Sequence, residues 1–356
     1  MNQHTLFTTV QACYSDLVSE LATAKKEISM VYFSFEEGEW AGQIAQILQT
    51  KIKEGVRVRL LVDQLGQRYD EPRNIPRNFE IIKFLESFGV QVNVFLPARP
   101  LHNLNRLHAK YTAIDDRTVF LGGSNIGDYY TTWNDTNLRI DGNLGNIFHQ
   151  AYDLIAGYSM QQVGPSPKLD PASLPVGNER LHLTIPSHHF GIRQTLLDLI
   201  RRSESSIFIR AWYFLPEEDL LNELCSKAEQ GVHVNVLLSH RTRVPPVDLA
   251  NYLHVHKLVC AGGQVHRYSD TYMHGKAIWN DAGDILFGSA NFNANSMQTN
   301  FETCLEFNDP VLAWELRRSF HADTAISLKQ TPESHLRRSF AYQALSHACN
   351  LAAPWL

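Results

Sequence analysis

No window of this 356-residue chain holds eighteen uninterrupted apolar residues, and its first residues, MNQHTLFTTVQACYSDL, carry neither a basic nor an apolar stretch. The chain therefore reads as one without a spanning helix or secretory signal, so any membrane contact is peripheral. Cysteine is scarce: Cys13, Cys225, Cys260, Cys304 and Cys349 are odd in number, scattered, and form no Cys-x-x-Cys pair. That argues against a disulfide framework and a structural zinc site, and fits a reducing cytoplasm. Positive charge is not in excess either. A formal net charge of −5 gives no global basic field of the kind that dominates non-specific DNA binding, which disfavours nucleic acid and leaves only a local patch to hold an anion.

What is present is a chain written twice. A hydrophobic fraction of 44% and this length suffice for two ordinary domains or one duplicated unit with a buried core. The segment LATAKKEISMVYFSFEEGEWAGQIAQILQTKIKEGVRVRLLVDQ has its counterpart in LDLIRRSESSIFIRAWYFLPEEDLLNELCSKAEQGVHVNVLLSH. Each reads helix, strand, loop, helix, strand, from β-branched and aromatic runs (28–35 and 56–62; 207–214 and 232–238) separated by apolar residues at helical spacing. Gly55 and Gly231 stop the second helix of each copy. LHAKYTAIDDRTVFLGGSN and MHGKAIWNDAGDILFGSAN then align without a gap, matching His108, Lys110, Asp115, Gly122 and Asn125 to His274, Lys276, Asp281, Gly288 and Asn291 at a constant offset of 166.

Four prolines in GPSPKLDPASLPVG (Gly164 to Gly177) make a helix or central strand improbable there. The division is then residues 1–163, a linker at 164–178, a second half at 179–328 and a helical tail at 329–356. Alternating strands and helices predict an α/β fold: two similar α/β/α halves with mostly parallel sheets, paired by a pseudo-twofold axis that brings the motifs together.

Each motif sets His and Lys two residues apart on a predicted strand, so both side chains share a face. Attack on a phosphodiester needs a nucleophile, a proton donor for the leaving oxygen, and positive charge or hydrogen-bond donors for the equatorial oxygens. His108, Lys110, Asn125, His274, Lys276 and Asn291 supply all three without a metal or other cofactor. The asparagines follow glycines, where a missing Cβ lets backbone and amide approach a phosphate. A catalytic histidine also needs a carboxylate to hold one tautomer, and Asp135 and Glu302 stand at similar distances downstream.

The paired HxKxxxxD motif with its GSxN-type turn resembles the phospholipase D superfamily. WNDTNLRIDG, AWYFLPEEDLLNEL, GSANFNANSMQTNFE and the terminal LAAPWL are most similar to its bacterial cardiolipin synthase-like branch, although Asn293, Ala294, Asn295 and Ser296 stand where that branch often has an Asp and an Arg. The resemblance implies a phospholipase D-like fold and two-step phosphatidyl transfer or hydrolysis on a glycerophospholipid through a phosphohistidine. It makes His108 the nucleophile and His274 the acid and base, crosses the carboxylates so that Glu302 holds His108 and Asp135 holds His274, and leaves Asp115 and Asp281 structural. It places the protein in the cytoplasm, peripheral on the inner face of the cell membrane, with a phospholipid as its partner and no stable protein partner implied. The alternative is a metal-independent nuclease of the same superfamily.

Several features stay outside that list. Tyr32, Phe33, Tyr213 and Phe214 read as core aromatics near the site rim. The segment HRTRVPP (His240 to Pro246) reads equally as a guide for an anionic head group or as a solvated loop. His188, His189, His254 and His256 read as solvated or helix-surface residues. The tail, with Leu336, Phe340, Ala344, His347 and Leu351 at helical spacing beside Arg337 and Arg338, reads as docked on the protein in preference to a membrane interface.

Overall fold

The structure is a computed structural model that describes residues 2–69, 75–96, 105–159, 173–336 and 338–351. In the first half, strands β1 (Gln3–Phe7), β2 (Glu27–Tyr32), β3 (Arg57–Asp63), β4 (Gln91–Phe95), β5 (Tyr111–Ile114), β6 (Thr118–Gly122) and β7 (Asn137–Asp141) form one sheet in the order β1-β7-β6-β5-β2-β3-β4. Its helices are α1 (Val10–Leu21), α2 (Glu39–Lys53), α3 (Gln64–Tyr69), α4 (Ile75–Ser87) and α5 (Gly145–Ala156).

The second half supplies β8 (Ser173–Val176), β9 (Glu179–Ile185), β10 (His189–Phe190), β11 (Ser206–Ala211), β12 (Phe214–Leu215), β13 (His233–Ser239), β14 (Gln264–Tyr268), β15 (Ala277–Asn280), β16 (Asp284–Gly288), β17 (Phe292–Asn293), β18 (Glu302–Asn308) and β19 (Leu328–Lys329). Most of these order as β10-β9-β18-β16-β15-β11-β13-β14-β19, with β8 also on β9 and with β12 paired to β17. The helices are α6 (Gly191–Arg202), α7 (Glu218–Glu229), α8 (Pro245–Cys260), α9 (Pro310–Ala325), α10 (Pro332–Leu336) and α11 (Phe340–Leu351).

The α/β duplication stands, but the sheets are mixed and not mostly parallel. Among the described strands of the two large sheets, only β2-β3-β4 and β11-β13-β14 run parallel, each joined through helices, and the short β12-β17 pair beside them is parallel too. The motif strands are antiparallel because the few residues between Ile114 and Thr118 allow only a hairpin, whereas parallel neighbours need a long crossover. Gly55 and Gly231, with φ of 85° and 91°, end α2 and α7 in the left-handed region that suits glycine.

Three cores define the layering. One lies on the outer face of the first sheet (Leu17, Ile44, Leu48, Leu60) and one on the outer face of the second (Leu199, Leu224, Val236, Leu258). The third joins both sheets with α5 and α9, through Leu121, Phe148, Ile155, Phe287, Leu305 and Leu316. This shared layer seats the halves face to face and fixes where the two motifs meet.

Of the expected linker, 164–172 lie outside the described residues, and Ser173–Val176 form β8, an edge strand on β9 that tolerates Pro175. The tail begins inside the second sheet, since Leu328 and Lys329 pair with β14. Helix α11 packs on α8, with Tyr342 edge-on to Tyr252 and Cys349 against Leu215, Val247 and Ala250, while Phe340, Leu345 and Leu351 are exposed. Residues 352–356, Arg337 and the Leu336 side chain lie outside what is described. No described helix is long and apolar enough to cross a membrane.

Candidate active site

His108 and Lys110, expected on a strand, lie in the extended segment leading into β5, and His274 and Lys276 lie likewise before β15. The ladder stops there because each segment leaves its own sheet to bridge the other half. Leu107 bridges Phe301, and Met273 bridges Asn134. The His108 amide donates to Phe301 O at 2.9 Å, and the His274 amide to Asn134 O at 2.7 Å. Each histidine is thereby pinned beside the residue that precedes the opposite half's carboxylate.

The side chains complete the crossing. His108 Nδ1 lies 2.8 Å from Glu302 Oε1, and His274 Nδ1 lies 2.8 Å from Asp135 Oδ2. Both carboxylates are buried, so Nδ1–H donates to them and Nε2 is the nitrogen left for chemistry. Glu302 also accepts from Ser296 Oγ at 2.7 Å and from Ser289 Oγ, while Asp135 accepts from the Thr136 amide at 2.9 Å. Gly123 stands where the other copy has Ser289. A Cβ on Gly123 would fall 2.3 Å from Asp135 Oδ1 and 2.8 Å from His274 O, so only glycine fits beside this carboxylate.

Lys110 Nζ donates to His108 O at 2.8 Å and Lys276 Nζ to His274 O at 2.6 Å. Each lysine is thereby tied to the backbone of its own histidine. Asn125 Oδ1 accepts from the Ser34 amide at 3.2 Å, and Asn291 Oδ1 is buried without a hydrogen-bond partner. Both asparagines and both histidines line one cavity of about 480 Å³, together with Phe33, Arg106, Trp133, Trp212, Tyr213 and Arg243.

Burial pushes both imidazoles below their usual range. For His108 the Glu302 charge opposes the shift and Lys110 adds to it; for His274 burial and Lys276 outweigh Asp135 and bring the value to about 3. Asp135 and Glu302 are held below the ordinary carboxylate range: burial alone would raise them, but the facing histidine and lysine charges win. Burial thus favours the neutral form of each ring, and an anion placed between them would raise their proton affinity.

Asp115 and Asp281 sit elsewhere. Asp115 accepts from the amides of Lys25, Lys26 and Glu27 at 2.7–3.0 Å, and Asp281 from those of Ser205 and Ser206. Each ties the turn after a motif strand to the start of the half's first parallel strand.

Sequence reasoning set aside Phe33, Tyr213 and the segment that holds Arg243, and did not single out Trp212, yet the structure brings all four to the cavity wall. Phe33 is edge-on to His108 at 5.7 Å and Trp212 is edge-on to His274 at 4.6 Å; each follows its half's first parallel strand, and that repeat was the available signal. Tyr213 and Arg243 also reach the cavity, whereas Tyr32 and Phe214 are core. Trp133, 5.1 Å from His274, crosses from the other half and left no trace in the alignment. Among the described residues no group of three or more His, Cys, Asp or Glu could hold a metal ion.

Two segments, 17–153 and 196–324, match the family model described as "Cardiolipin synthase, PLD-like domain". Over its whole length the chain is 26% identical to cardiolipin synthase 1 of Staphylococcus epidermidis, covering 74% of that protein, and 28% identical to the major cardiolipin synthase ClsA of Bacillus subtilis, covering 78%. Its fold is similar to that of phosphatidylserine synthase from Haemophilus influenzae, with a TM-score of 0.79 at 14% identity over 99% of this chain and 95% of that one. Polyphosphate kinase from Porphyromonas gingivalis gives a TM-score of 0.61 at 14% identity, over 90% of this chain and 50% of that one.

Proposed function

The chain belongs to the phospholipase D-like family of cardiolipin synthase domains, and from that premise we propose that it transfers a phosphatidyl group between alcohols on a glycerophospholipid through a phosphohistidine. The observation that carries this reading is the crossed pair, two imidazoles each held by a buried carboxylate of the opposite half on one cavity wall.

In the first step Nε2 of His108 attacks phosphorus, and the bond to the head-group oxygen breaks as His274 delivers a proton to that oxygen. The substrate's negative charge offsets the burial that disfavours a protonated His274, so this proton is best held while a phosphodiester is bound. Lys110, Lys276, Asn125 and Asn291 meet the equatorial oxygens as charge builds on them. In the second step an acceptor alcohol gives its proton to His274 and its oxygen bonds to phosphorus, while the P–N bond breaks and its electron pair returns to His108. Water as acceptor would yield phosphatidic acid. Apolar walls around His274 favour transfer over hydrolysis by limiting solvent.

The setting is the inner face of a cell membrane, where the protein binds peripherally. The test is incubation with phosphatidylglycerol vesicles, with and without glycerol, and product analysis by mass spectrometry. Cardiolipin or an exchanged head group, absent with His108→Ala, is the expected outcome. Phosphatidic acid as sole product would make the protein a hydrolase, and no product above the variant's background would overturn the lipid reading in favour of a nucleic-acid phosphodiester.

A further inference from the structure

Helix α11 is amphipathic the wrong way round. With about 3.6 residues per turn, its exposed residues, Phe340, Leu345, Leu351, three alanines and His347, fall within one arc of about 160°. The opposite arc, turned to the protein, holds Tyr342, Gln343, Ser346, Cys349 and Asn350, with Ser346 fully buried. A surface helix ordinarily puts its apolar stripe inward and its charges outward. Here none of the exposed residues is Asp, Glu, Lys or Arg. Phe340 is 86% exposed, Leu351 79% and Leu345 52%, so water is not the medium that suits this face.

The face adjoins the active site. Cys349 packs with Leu215, Val247 and Ala250 in a cluster that also takes in Tyr213 and Val244, two residues of the cavity wall. Val244 leads directly into the exposed Pro245 and Pro246, so that wall reaches the surface beside α11. The cavity, about 480 Å³, is of a size that holds a drug-sized ligand. It accommodates a phosphate with its head group and leaves two acyl chains outside. Positive charge gathers at the other end of the helix. Arg338 is exposed and lies 5.0 Å over the Tyr342 ring. Burial lowers the pKa of nearby His240, and Arg267, Arg241 and Arg338 lower it further against the opposing charge of Asp248, which marks these arginines as one cluster.

Resting on the phosphatidyl-transfer reading above, we propose that the outer face of α11 lies in the interface of an anionic lipid bilayer, with its arginine end on head groups and the Val244 wall of the cavity held against the membrane. Phe340, Leu345 and Leu351 sink to the acyl boundary, as the apolar face of an interfacial helix does, and the exposed Arg241 and Arg338 meet lipid phosphates. The substrate's chains then stay in the bilayer while its phosphate enters the cavity. A second copy of the chain suits the face less. A twelve-residue helix is about 18 Å long and about 10 Å wide, and a face of that size falls far short of the roughly 800 Å² per partner in a standard interface. A bilayer sets no such minimum, and its surface charge is opposite to that of the arginines.

The test separates binding from chemistry. Phe340→Gln, Leu345→Gln and Leu351→Gln are combined in the full chain; all three positions are exposed and glutamine is a good helix former. Co-sedimentation with vesicles of phosphatidylcholine and phosphatidylglycerol should show binding weakened about 10²-fold or more, at roughly tenfold for each large side chain withdrawn from an apolar phase. Arg338→Gln alone should cost about fivefold on these vesicles and nothing on phosphatidylcholine alone. Turnover of dihexanoyl phosphatidylglycerol, dissolved as monomers, should be unaltered in the triple variant, since this lipid brings no bilayer with it. Vesicle binding absent from the wild type, or unweakened in the triple variant, would overturn the docking assignment. So would a large fall in the triple variant's unfolding midpoint, which would mark the face as covered by the chain itself, and so would a wild-type dimer that the variant loses. Vesicle binding lost as predicted, with no lipid product from the wild type on either substrate, would overturn the transfer reading and leave the docking face standing.

Discussion

His108 and His274 are held by the same scaffold and surrounded by different walls. The shared parts are the extended approach, the bridge to the opposite half, the crossed carboxylate and the lysine on the histidine's own carbonyl. The walls diverge. His274 has Trp212, Trp133 and, behind them, Tyr272; His108 has Phe33, with Arg106 and Asn300 at the positions of Tyr272 and Trp133. Burial and the Lys276 charge accordingly depress His274 to about 3. The shared features are what the phosphorus chemistry needs twice. The unshared ones fit the roles proposed above: a polar flank for His108 as the attacking imidazole, and a drier one for His274 as the imidazole that moves a proton without losing it to solvent.

The sharpest way to break this comparison is to remove each histidine in turn. His108→Ala should abolish transfer, by about 10⁴-fold or more, because no covalent path remains. His274→Ala should cost about 10²–10⁴-fold, the usual range for a proton-transfer group, and much of the loss should be recovered with a donor whose leaving group needs no protonation. Substantial activity in both single variants would end the two-histidine scheme.

Next come the carboxylate supports. Gly123→Ser forces a Cβ onto Asp135 and the His274 carbonyl and should cut kcat by about 10²-fold. The reciprocal Ser289→Gly removes one of three hydrogen bonds to Glu302 and should cost about tenfold or less, roughly one charged hydrogen bond. Equal effects would show that the two supports are interchangeable.

A stability comparison follows. Arg210, buried on β11, pairs with Asp323 at 2.6 Å, and Asp323 accepts from Asn134 Nδ2 at 3.0 Å. The first half has Val31 in that place. Arg210→Met should lower unfolding free energy by about 1–3 kcal/mol, because the half-buried Asp323 loses its charge partner, and chemical denaturation reads it directly.

The smallest effect concerns His4 on β1, which spans the halves to Asp309 at 2.9 Å and Glu179 at 3.2 Å. Burial opposes its charge, but the two carboxylates outweigh it and raise its pKa. A raised histidine contributes stability that is complete below its unfolded value of 6.5 and fades as pH climbs through the folded one. Melting temperature should therefore fall on the alkaline side of 6.5 more in wild type than in His4→Gln.

Much of this was legible beforehand because it is encoded locally or by repetition. The constant offset of His108, Lys110 and Asn125 from His274, Lys276 and Asn291 survives as matched geometry, and glycines such as Gly55 mark where helices must stop. The antiparallel motif strands were missed because short apolar runs do not state direction, though the tight turn between Ile114 and Thr118 did. Trp133 and Arg106 were not legible as wall residues. Their placement depends on the contact between halves, and neither has a like residue in the other copy. Arg243 stood in a basic segment that sequence alone left open, since only tertiary packing decides whether a loop faces solvent or a cavity.

The central claim, that one frame gives its two histidines different jobs, is tested most directly by rapid acid or base quench of the His274→Asn variant with phosphatidylglycerol, followed by peptide mapping. The account predicts a phosphatidyl adduct on the His108 peptide and none in His108→Asn. An adduct on His274 in the His108→Asn variant instead would reverse the roles, and the account with them.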